Sequence, residues 1–263
     1  MIEFWSEKAN PRTKQKESPK SFEMEEQLWR ACRAGNIGEV RKLLQNEQIN
    51  INWQNFNYFR STPFFIACKE GHTHIVKLLL NDKRLDGTNE TRSDGATPFY
   101  IACQNGRIEI VKLLLNDKRV DINKVGIYDQ APFYIACKCG HIEIVKLLLN
   151  DKRVDVNQAE EANWTPLYFA CDNGHIEIVK ILLNNQRVDI NKATNNGETS
   201  FYIACQKGYI EVVKLLLNDK RISIWKKTNK GNNAFDIAKT YNHSEIIKLI
   251  EEVDTGNSIR NEL

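Results

Sequence analysis

The sequence contains no apolar run that approaches the roughly 18 residues of a membrane-spanning helix, and its N-terminus has no apolar segment of the secretory kind. Also missing are the short patterns of common catalytic sites: Gly-x-Ser-x-Gly, the phosphate-binding Gly-x4-Gly-Lys and the metal-binding His-Glu-x-x-His. These absences favour a soluble protein of the cytoplasm, or of the nucleus, that is not an enzyme and needs no cofactor.

A strong excess of one charge is missing too. Lys and Arg number 37 against 34 Asp and Glu, which leaves a formal net charge of +3. A dedicated nucleic-acid-binding protein usually has a far more basic surface. Nucleic acid is therefore a less favoured partner than protein.

The chain instead repeats itself. Residues 97–103 read Thr-Pro-Phe-Tyr-Ile-Ala-Cys, and after Gly106 residues 108–115 read Ile-Glu-Ile-Val-Lys-Leu-Leu-Leu. Related copies begin at Pro63, Pro98, Pro132, Pro166 and Ser200. From the second copy on, equivalent cysteines stand 34 residues apart, at positions 103, 137, 171 and 205. A fixed period of this length is the signature of a stacked-repeat architecture.

Cysteine is not used here in the manner of a disulfide-bonded protein. Six of the seven cysteines occupy one position of the repeat: Cys32, Cys68, Cys103, Cys137, Cys171 and Cys205. Each lies a full repeat from the next, so the spacing cannot pair them. We expect reduced, buried thiols in an intracellular protein, with Cys139 as the exposed exception.

Each copy predicts two short helices. Thr-Pro can start the first, because the Thr hydroxyl caps free N–H groups and Pro suits the first helical position. A glycine such as Gly106 then allows the positive φ of a tight turn. In the second helix Ile142, Ile144 and Val145 begin a wide apolar stripe that neighbouring copies must cover. The link that follows, for example 116–130, is long and predicts hairpin-like structure.

This pattern resembles the ankyrin repeat, whose signature is Gly-x-Thr-Pro-Leu-His-x-Ala-Ala, then Gly-His, then Ile/Val-Val-x-x-Leu-Leu, then Asp-Val-Asn. The resemblance covers residues 22–252. The loop Asn-Asp-Lys-Arg-Val lacks the family's glycine, so we expect Asn or Asp to take left-handed geometry there. In the links, Asp129 and Asn163 replace the turn glycine. Aromatic residues replace the family's histidine at Phe65, Tyr100, Tyr134, Tyr168 and Tyr202.

The resemblance implies an all-α ankyrin-repeat solenoid of about seven helix–turn–helix units with projecting β-hairpin-like loops. We expect an N-terminal extension over 1–21, a capping unit over 22–50, five full repeats over about 51–222, a second capping unit over 223–252 and a tail over 253–263. Residues 1–20 either are mobile or form a short motif that docks on a partner or folds back onto the first repeat.

Positions that differ between copies are not dictated by stacking, and in ankyrin-like folds they line the concave face. The resemblance implies a partner-binding set at the loop tips and the ends of the first helices: Trp53, Phe56, Tyr58, Phe59, Lys69, Asp94, Gln104, Tyr128, Lys138, Trp164, Asp172 and Gln206. The first link, 53–59, carries four aromatic residues where solvent-facing residues are expected, which is typical of binding hot spots. The alternative is that this link folds down and covers the end of the stack.

Metal and phosphate binding are less favoured. Cys68 and His72 have a zinc-like spacing, but such pairs recur only because the repeat recurs, and structural zinc needs four converging ligands. No metal is therefore expected, and the histidines are assigned to the turn. Basic pairs from Lys83-Arg84 to Lys220-Arg221 would line one edge and could hold phosphates, yet aspartates stand beside them and favour a solvated edge of mixed charge.

The leading interpretation is a non-catalytic scaffold or adaptor, monomeric on its own, that binds one or more proteins of unknown identity on its concave face and loop tips. One alternative is nucleic-acid or phospho-ligand binding through the Lys/Arg edge. Another is an inhibitory subunit that contacts a second partner through residues 1–20.

Overall fold

The computed structural model of this chain describes residues 19–260, and the side chains of residues 22–255. Within this part of the chain lie fourteen α-helices and no β-strand. The helices are α1 (Pro19–Ala34), α2 (Ile37–Leu44), α3 (Pro63–Glu70), α4 (Thr73–Leu80), α5 (Pro98–Gln104), α6 (Ile108–Asn116), α7 (Pro132–Lys138), α8 (Ile142–Asn150), α9 (Pro166–Asp172), α10 (Ile176–Leu183), α11 (Ser200–Lys207), α12 (Ile210–Leu217), α13 (Ala234–Thr240) and α14 (Ser244–Arg260). The N-terminal extension was predicted over residues 1–21. Residues 1–18 lie outside the described range, whereas residues 19–21 belong to α1, so this helix begins earlier than predicted.

Threonine caps start most of the odd-numbered helices. The Oγ1 atoms of Thr62, Thr97, Thr165 and Thr199 each accept a hydrogen bond from the backbone N–H three residues on, at 3.0–3.1 Å. Ala131 holds the same position before α7 without a side-chain bond. A cap of this kind stabilises a helix by roughly 1 kcal/mol. The prediction that Thr-Pro begins the first helix is confirmed.

In six of the seven described helix pairs a left-handed glycine lies between the two helices, and Asn242 takes this position in the last pair. Gly106 has a φ of +68°, and a Cβ atom on it would lie 2.8 Å from the His141 ring of the next repeat. The turn therefore excludes a side chain both by its backbone conformation and by the close approach of a neighbour. In the links, Asp129 and Asn163 take the left-handed conformation with φ of 55° and 63°, as predicted.

The helices stack as two parallel rows. Odd-numbered helices pack against the next odd-numbered helix from α1 to α13, and even-numbered helices do the same from α2 to α14. One continuous apolar core runs through the stack. The six cysteines of the repeat position are buried and unpaired, and Cys139 is exposed, as predicted. Burial raises the pKa of Cys32 to about 12.

An asparagine in each link bridges to the next repeat. The Asn123 amide donates to the Arg153 carbonyl at 2.7 Å and accepts the Asp155 N–H at 3.0 Å. Both bonds recur at Asn52, Asn89, Asn157 and Asn191. These bridges hold the links in register along the stack.

Histidines make a second set of bonds between repeats. The ring Nε2 of His175 lies 3.0 Å from the Lys138 carbonyl oxygen. Since a carbonyl only accepts, Nε2 carries the proton and donates it. The same bond is made by His72, His141 and His243. Their assignment to the turn is confirmed, and each ring also ties its turn to the preceding first helix.

Arginines from the next repeat cap the second helices. Each member of this arginine edge donates to a leucine carbonyl in the last turn of the preceding repeat's second helix, at 2.6–3.0 Å. The arginine edge consists of Arg84, Arg119, Arg153, Arg187 and Arg221. Because these side chains satisfy the free carbonyls, no left-handed cap is needed. The prediction of left-handed Asn or Asp was wrong: Asn81 is right-handed (φ −81°, ψ −10°) and Asp117 is extended (φ −92°, ψ 113°).

The links turn back on themselves without forming strands. The five later links are each closed by a bond between an N–H and a carbonyl four residues on, such as Gly126 to Gln130 at 2.9 Å, and the longer first link is closed between Asn55 and Ser61, six residues on. Among the described residues the sole ladder element is an isolated antiparallel bridge between Asn55 and Ser61. The predicted hairpin-like loops are therefore tight turns that lack a strand ladder.

The last helix is longer than predicted. Helix α14 runs to Arg260, beyond residue 253, where a tail was expected. The Thr255 Oγ1 donates back to the Glu251 carbonyl at 3.0 Å, which fits continued helix. None of the helices between residues 19 and 260 has the length and apolar character needed to cross a bilayer.

Candidate functional site

The link between α2 and α3 holds aromatic side chains in solvent. Phe56, Tyr58 and Phe59 are 73%, 42% and 60% exposed. Phe59 and Arg60 are both left-handed, with φ of 56° and 60°. Such a conformation costs a non-glycine residue on the order of 1 kcal/mol. Exposed aromatics on an unfavourable backbone mark this link as a candidate binding site.

Hydrogen bonds on both sides fix this link in place. Trp29 Nε1 donates a buried bond to Ser61 Oγ at 3.2 Å, and the Asn55 N–H donates to the Ser61 carbonyl at 3.0 Å. From the next link, the Ser93 N–H donates to the Phe59 carbonyl at 2.8 Å. The aromatic side chains are thus presented by a turn that is anchored to α1 and to its neighbour.

Arg33, at the end of α1, stacks over two rings. Its guanidinium carbon lies 4.9 Å from the centroid of the Tyr58 ring and 5.7 Å from that of Trp29. Its Nη1 also donates to the Tyr58 hydroxyl at 2.9 Å. A cleft of about 470 Å³ opens here between α1, which contributes Glu26 and Arg30 beside Arg33, and the link, which contributes Asn55 and Tyr58. Arg33 is therefore held in one orientation at the mouth of a cleft.

Two more arginines lie over the exposed phenylalanines. The guanidinium of Arg60 is 5.6 Å from the Phe56 ring, and that of Arg92 is 4.9 Å from the Phe59 ring. Arg92 is neutralised by an ion pair with Asp94, a residue of the predicted set. The combination of exposed rings and arginines is named the first-link surface, and it consists of Arg33, Phe56, Tyr58, Phe59 and Arg60.

Trp53 does not belong to this surface. It was expected to face solvent, but only 7% of it is exposed, and its ring packs edge-on against Phe22 of α1 at 5.5 Å. In later repeats, Lys124 and Lys192 hold the equivalent position and fold back onto the carbonyls of Asn89 and Asn157. At the first repeat the tryptophan packs instead against α1, the first described helix of the stack. The first link was predicted either to contact a partner or to fold down onto the stack. Trp53 is folded down and buried, while Phe56, Tyr58 and Phe59 are exposed.

A row of half-buried side chains marks the ends of the first helices. This row contains five predicted site residues: Lys69, Gln104, Lys138, Asp172 and Gln206. Their backbones are fixed by the stack, as when the Gln104 carbonyl accepts from His141 Nε2 at 2.8 Å. Their heads also contact neighbours, as when Asp172 pairs with Lys207 at 3.0 Å. The row is therefore partly accessible and is tied to neighbouring repeats by these bonds.

Two residues of the predicted partner-binding set, Trp164 and Lys138, contact the same ring, that of Phe169, in the middle of the stack. Trp164 and Lys138 Nζ lie 5.3 Å and 5.0 Å from the Phe169 ring. The Tyr134 and Tyr168 rings lie 5.1 Å and 5.9 Å from it. These five residues form a central aromatic cluster, and burial raises the pKa of both tyrosines.

The Tyr134 hydroxyl in this cluster is buried without a hydrogen-bond partner among the described residues. Its counterpart Tyr100 donates to Gln130, 30 residues further on, at 3.3 Å. The residue 30 positions after Tyr134 is Trp164, whose ring carries no acceptor. The unpaired hydroxyl follows directly from the presence of tryptophan at the loop tip.

Tyr128 is the most exposed aromatic residue of the predicted set. It is 80% exposed and left-handed, with a φ of 55°. No ring contact within the described part of the chain involves it. It belongs to neither the first-link surface nor the central aromatic cluster.

The alternative chemistries find little support in the geometry. Cys68 is buried, while His72 Nε2 is engaged with the Arg33 carbonyl at 3.0 Å. Nowhere in the described residues do three or more His, Cys, Asp or Glu side chains converge as metal ligands would. The guanidinium groups of the arginine edge donate to helix carbonyls. In the described structure the neighbouring lysines make no such bond and are exposed: Lys83, Lys118, Lys152 and Lys220.

The sequence reasoning missed Arg33 and Arg60 as members of the site. Arg33 directly follows Cys32, just as Lys69 follows Cys68, so it heads the row of first-helix ends. Extending the comparison of copies to the first unit would have found it. Arg60 has no counterpart of this kind, because it lies in the longest link.

The family model described as "Ankyrin repeats (3 copies)" matches this chain over residues 28–126, 118–194 and 186–259. The stacked helix pairs, the left-handed glycines and this match together define a repeat protein of the all-α solenoid class. The chain belongs to the ankyrin-repeat family. Repeats of this family are generally protein–protein interaction modules.

Proposed function

We propose that this protein is a non-catalytic scaffold or adaptor that binds a partner protein through its loop tips and the ends of its first helices. The observation that carries the proposal is the exposure of Phe56, Phe59 and Tyr128 on turns that backbone hydrogen bonds close, since exposed aromatic side chains on a protein surface usually serve recognition. The proposed contact set is Phe56, Tyr58, Phe59, Lys69, Asp94, Gln104, Tyr128, Lys138, Trp164, Asp172 and Gln206.

The proposed mechanism is recognition by a preorganised surface. Seven units would make up the solenoid, with capping units over 22–50 and 223–252 around five full repeats. Asparagine, histidine and arginine bonds between units support a rigid stack. A rigid stack loses little conformational entropy when a partner binds, so more of the contact energy remains as affinity.

Nucleic-acid or phospho-ligand binding along the Lys/Arg edge is a weaker candidate. Phosphate contacts need free cationic donors. Each guanidinium of the arginine edge already donates to a helix carbonyl, and Arg119 also pairs with Asp117 at 2.7 Å. What remains is an edge of exposed lysines next to aspartates.

The test is affinity capture from cell lysate with two variants beside the unchanged chain. The first, Phe56→Ala/Phe59→Ala/Tyr128→Ala, removes exposed rings from the proposed surface. The second, Ile142→Ala/Ile176→Ala, removes exposed apolar surface at the starts of second helices and serves as the control. Circular dichroism establishes that all three chains have the same helical content.

We expect proteins that are retained by the unchanged chain and the control but lost by the aromatic variant. Quantitative mass spectrometry of the three eluates measures this difference. If the aromatic variant and the unchanged chain retain identical sets, these rings do not serve recognition and the proposed function is rejected.

A further inference from the structure

The first-link surface carries two arginines without ion-pair partners. In the described part of the chain no ion pair includes Arg33 or Arg60. Two nearby carboxylates are engaged elsewhere: Glu26 with Arg30, and Asp94 with Arg92. A third carboxylate, Glu90, accepts from the Gln54 amide that also binds Arg60, and it makes no ion pair with either arginine. The surface therefore presents two arginines without direct ion-pair partners beside exposed aromatic rings.

Arg33 is oriented for a planar anion. One of its five N–H donors reaches the Tyr58 hydroxyl, and its face lies over the Tyr58 and Trp29 rings. The remaining donors along its edge stay free for a carboxylate, which guanidinium binds with two parallel hydrogen bonds. Since the rings already restrict the side chain, little rotamer freedom is lost on binding.

Arg60 repeats this arrangement on the link itself. Its Nε donates to Gln54 Oε1 at 2.8 Å and its guanidinium lies over the Phe56 ring. A second carboxylate can therefore bind here, and the exposed Phe56 and Phe59 rings supply an apolar contact for a side chain between or beside the two acids. The cleft of about 470 Å³ next to Arg33 is large enough to take an aromatic or large aliphatic side chain.

The amount and placement of charge favour a peptide over a polyanion. Nucleic acid needs a continuous track of cations for successive phosphates. Here two free arginines stand among Glu26, Glu90 and Asp94, which would repel a nucleic-acid backbone. A peptide segment needs to place only two carboxylates, one at each arginine, and can keep the rest of its length free of charge near these acidic residues.

We infer that the first-link surface binds an acidic peptide segment of the partner protein that carries an aromatic or large aliphatic anchor. The carboxylates pair with Arg33 and Arg60, and the anchor packs on Phe56 and Phe59 or enters the cleft. This inference rests on the proposed function and specifies the chemistry of its partner.

The test is selection from a displayed library of random peptides on four full-length baits: the unchanged chain, Arg33→Glu/Arg60→Glu, Phe56→Ala/Phe59→Ala, and Lys118→Glu/Lys152→Glu. The last bait has the same change of net charge as the first variant, at exposed lysines of the third and fourth links. Arg60→Glu alone replaces the double variant if thermal melting shows that the latter is unfolded. A fluorescent single-stranded oligonucleotide is titrated onto the same baits.

We expect the unchanged chain and the lysine control to enrich acidic peptides with a recurrent aromatic or aliphatic residue. Synthetic copies should bind Arg33→Glu/Arg60→Glu about 10- to 100-fold more weakly, because a carboxylate then meets a like charge. Neutral or basic peptides that depend on Phe56 and Phe59 would overturn the acidic-partner inference while supporting the proposed function. Binding of the oligonucleotide through Arg33 and Arg60, or of acidic peptides equally to all baits, would also overturn the inference. No enrichment on any bait would overturn the inference, while the proposed function is decided separately by the affinity capture described above.

Discussion

Arg119 donates from Nη2 to the carbonyl of Leu80 at 2.8 Å, across the boundary between two repeats. The same guanidinium reaches the Leu85 carbonyl at 3.1 Å and is held by Asp117. An arginine side chain of the next repeat thus satisfies free carbonyls at the end of this helix, whereas many helices end with a left-handed glycine that lets the backbone do so. It also couples adjacent repeats, since the cap of one helix is supplied by the next unit.

The first prediction concerns this cap. Arg119→Lys should lower the free energy of unfolding by about 1–2 kcal/mol, because a lysine cannot span both carbonyls and Asp117 at once. Urea denaturation followed by circular dichroism measures the change. Lys118→Ala, at the exposed neighbouring residue, should stay within about 0.5 kcal/mol of the unchanged chain. Equal stability of the two variants would mean that the cap contributes nothing.

The second prediction uses the one position where the arginine edge lacks its aspartate. Arg187 has Asn185 two residues before it, where Arg119 and Arg153 have Asp117 and Asp151. Hydrogen bonds from those arginines hold the pKa of Asp117 and Asp151 below the ordinary aspartate value. Asn185→Asp should therefore stabilise the protein at neutral pH, by up to about 1 kcal/mol for an exposed pair.

This gain must depend on pH in a definite direction. A carboxyl whose pKa is depressed on folding stabilises the fold above its unfolded pKa of about 3.9, and the contribution is lost as pH falls through the folded value. Melting temperatures of Asn185→Asp and the unchanged chain should thus differ at pH 7 and converge below about pH 4. Asn184→Asp adds the same charge one residue earlier and should bring no gain. A gain that persists in acid would contradict the ion-pair explanation.

The repeat itself explains how much could be predicted. Thr62, Gly106 and Cys103 follow local rules of capping, turning and packing that every copy repeats, so their roles were evident from sequence. The arginine cap was not, because it joins residues almost 40 positions apart and needs the geometry of the stack. Trp53 was misassigned for a related reason: its burial depends on Phe22 of α1, outside the copy that contains it.

The third prediction addresses the unpaired hydroxyl of the central aromatic cluster. Tyr134→Phe should leave stability unchanged or raise it by up to about 1 kcal/mol, since it removes a buried polar group that has no partner among the described residues. Tyr100→Phe is the matched comparison. It should lower stability by about 1 kcal/mol, because it leaves the buried Gln130 without its donor. Thermal unfolding of both variants measures these changes in stability. A clear loss of stability in Tyr134→Phe would contradict the prediction, because it would mean that the hydroxyl makes a hydrogen bond.

The last prediction separates the core part of the first link from its exposed part. Trp53→Ala should destabilise the protein by about 3–5 kcal/mol, because it removes a buried ring that packs on Phe22 at the end of the stack. Phe56→Ala, three residues on, deletes a ring that is largely in solvent and should change stability by less than about 0.5 kcal/mol. Phe56→Ala should weaken peptide binding although the protein stays folded. Trp53→Ala should weaken peptide binding only under conditions in which the first repeat has unfolded. Urea denaturation and peptide titration on the same samples test both halves. Reduced peptide affinity of Trp53→Ala at full helical content would instead return this tryptophan to the binding surface.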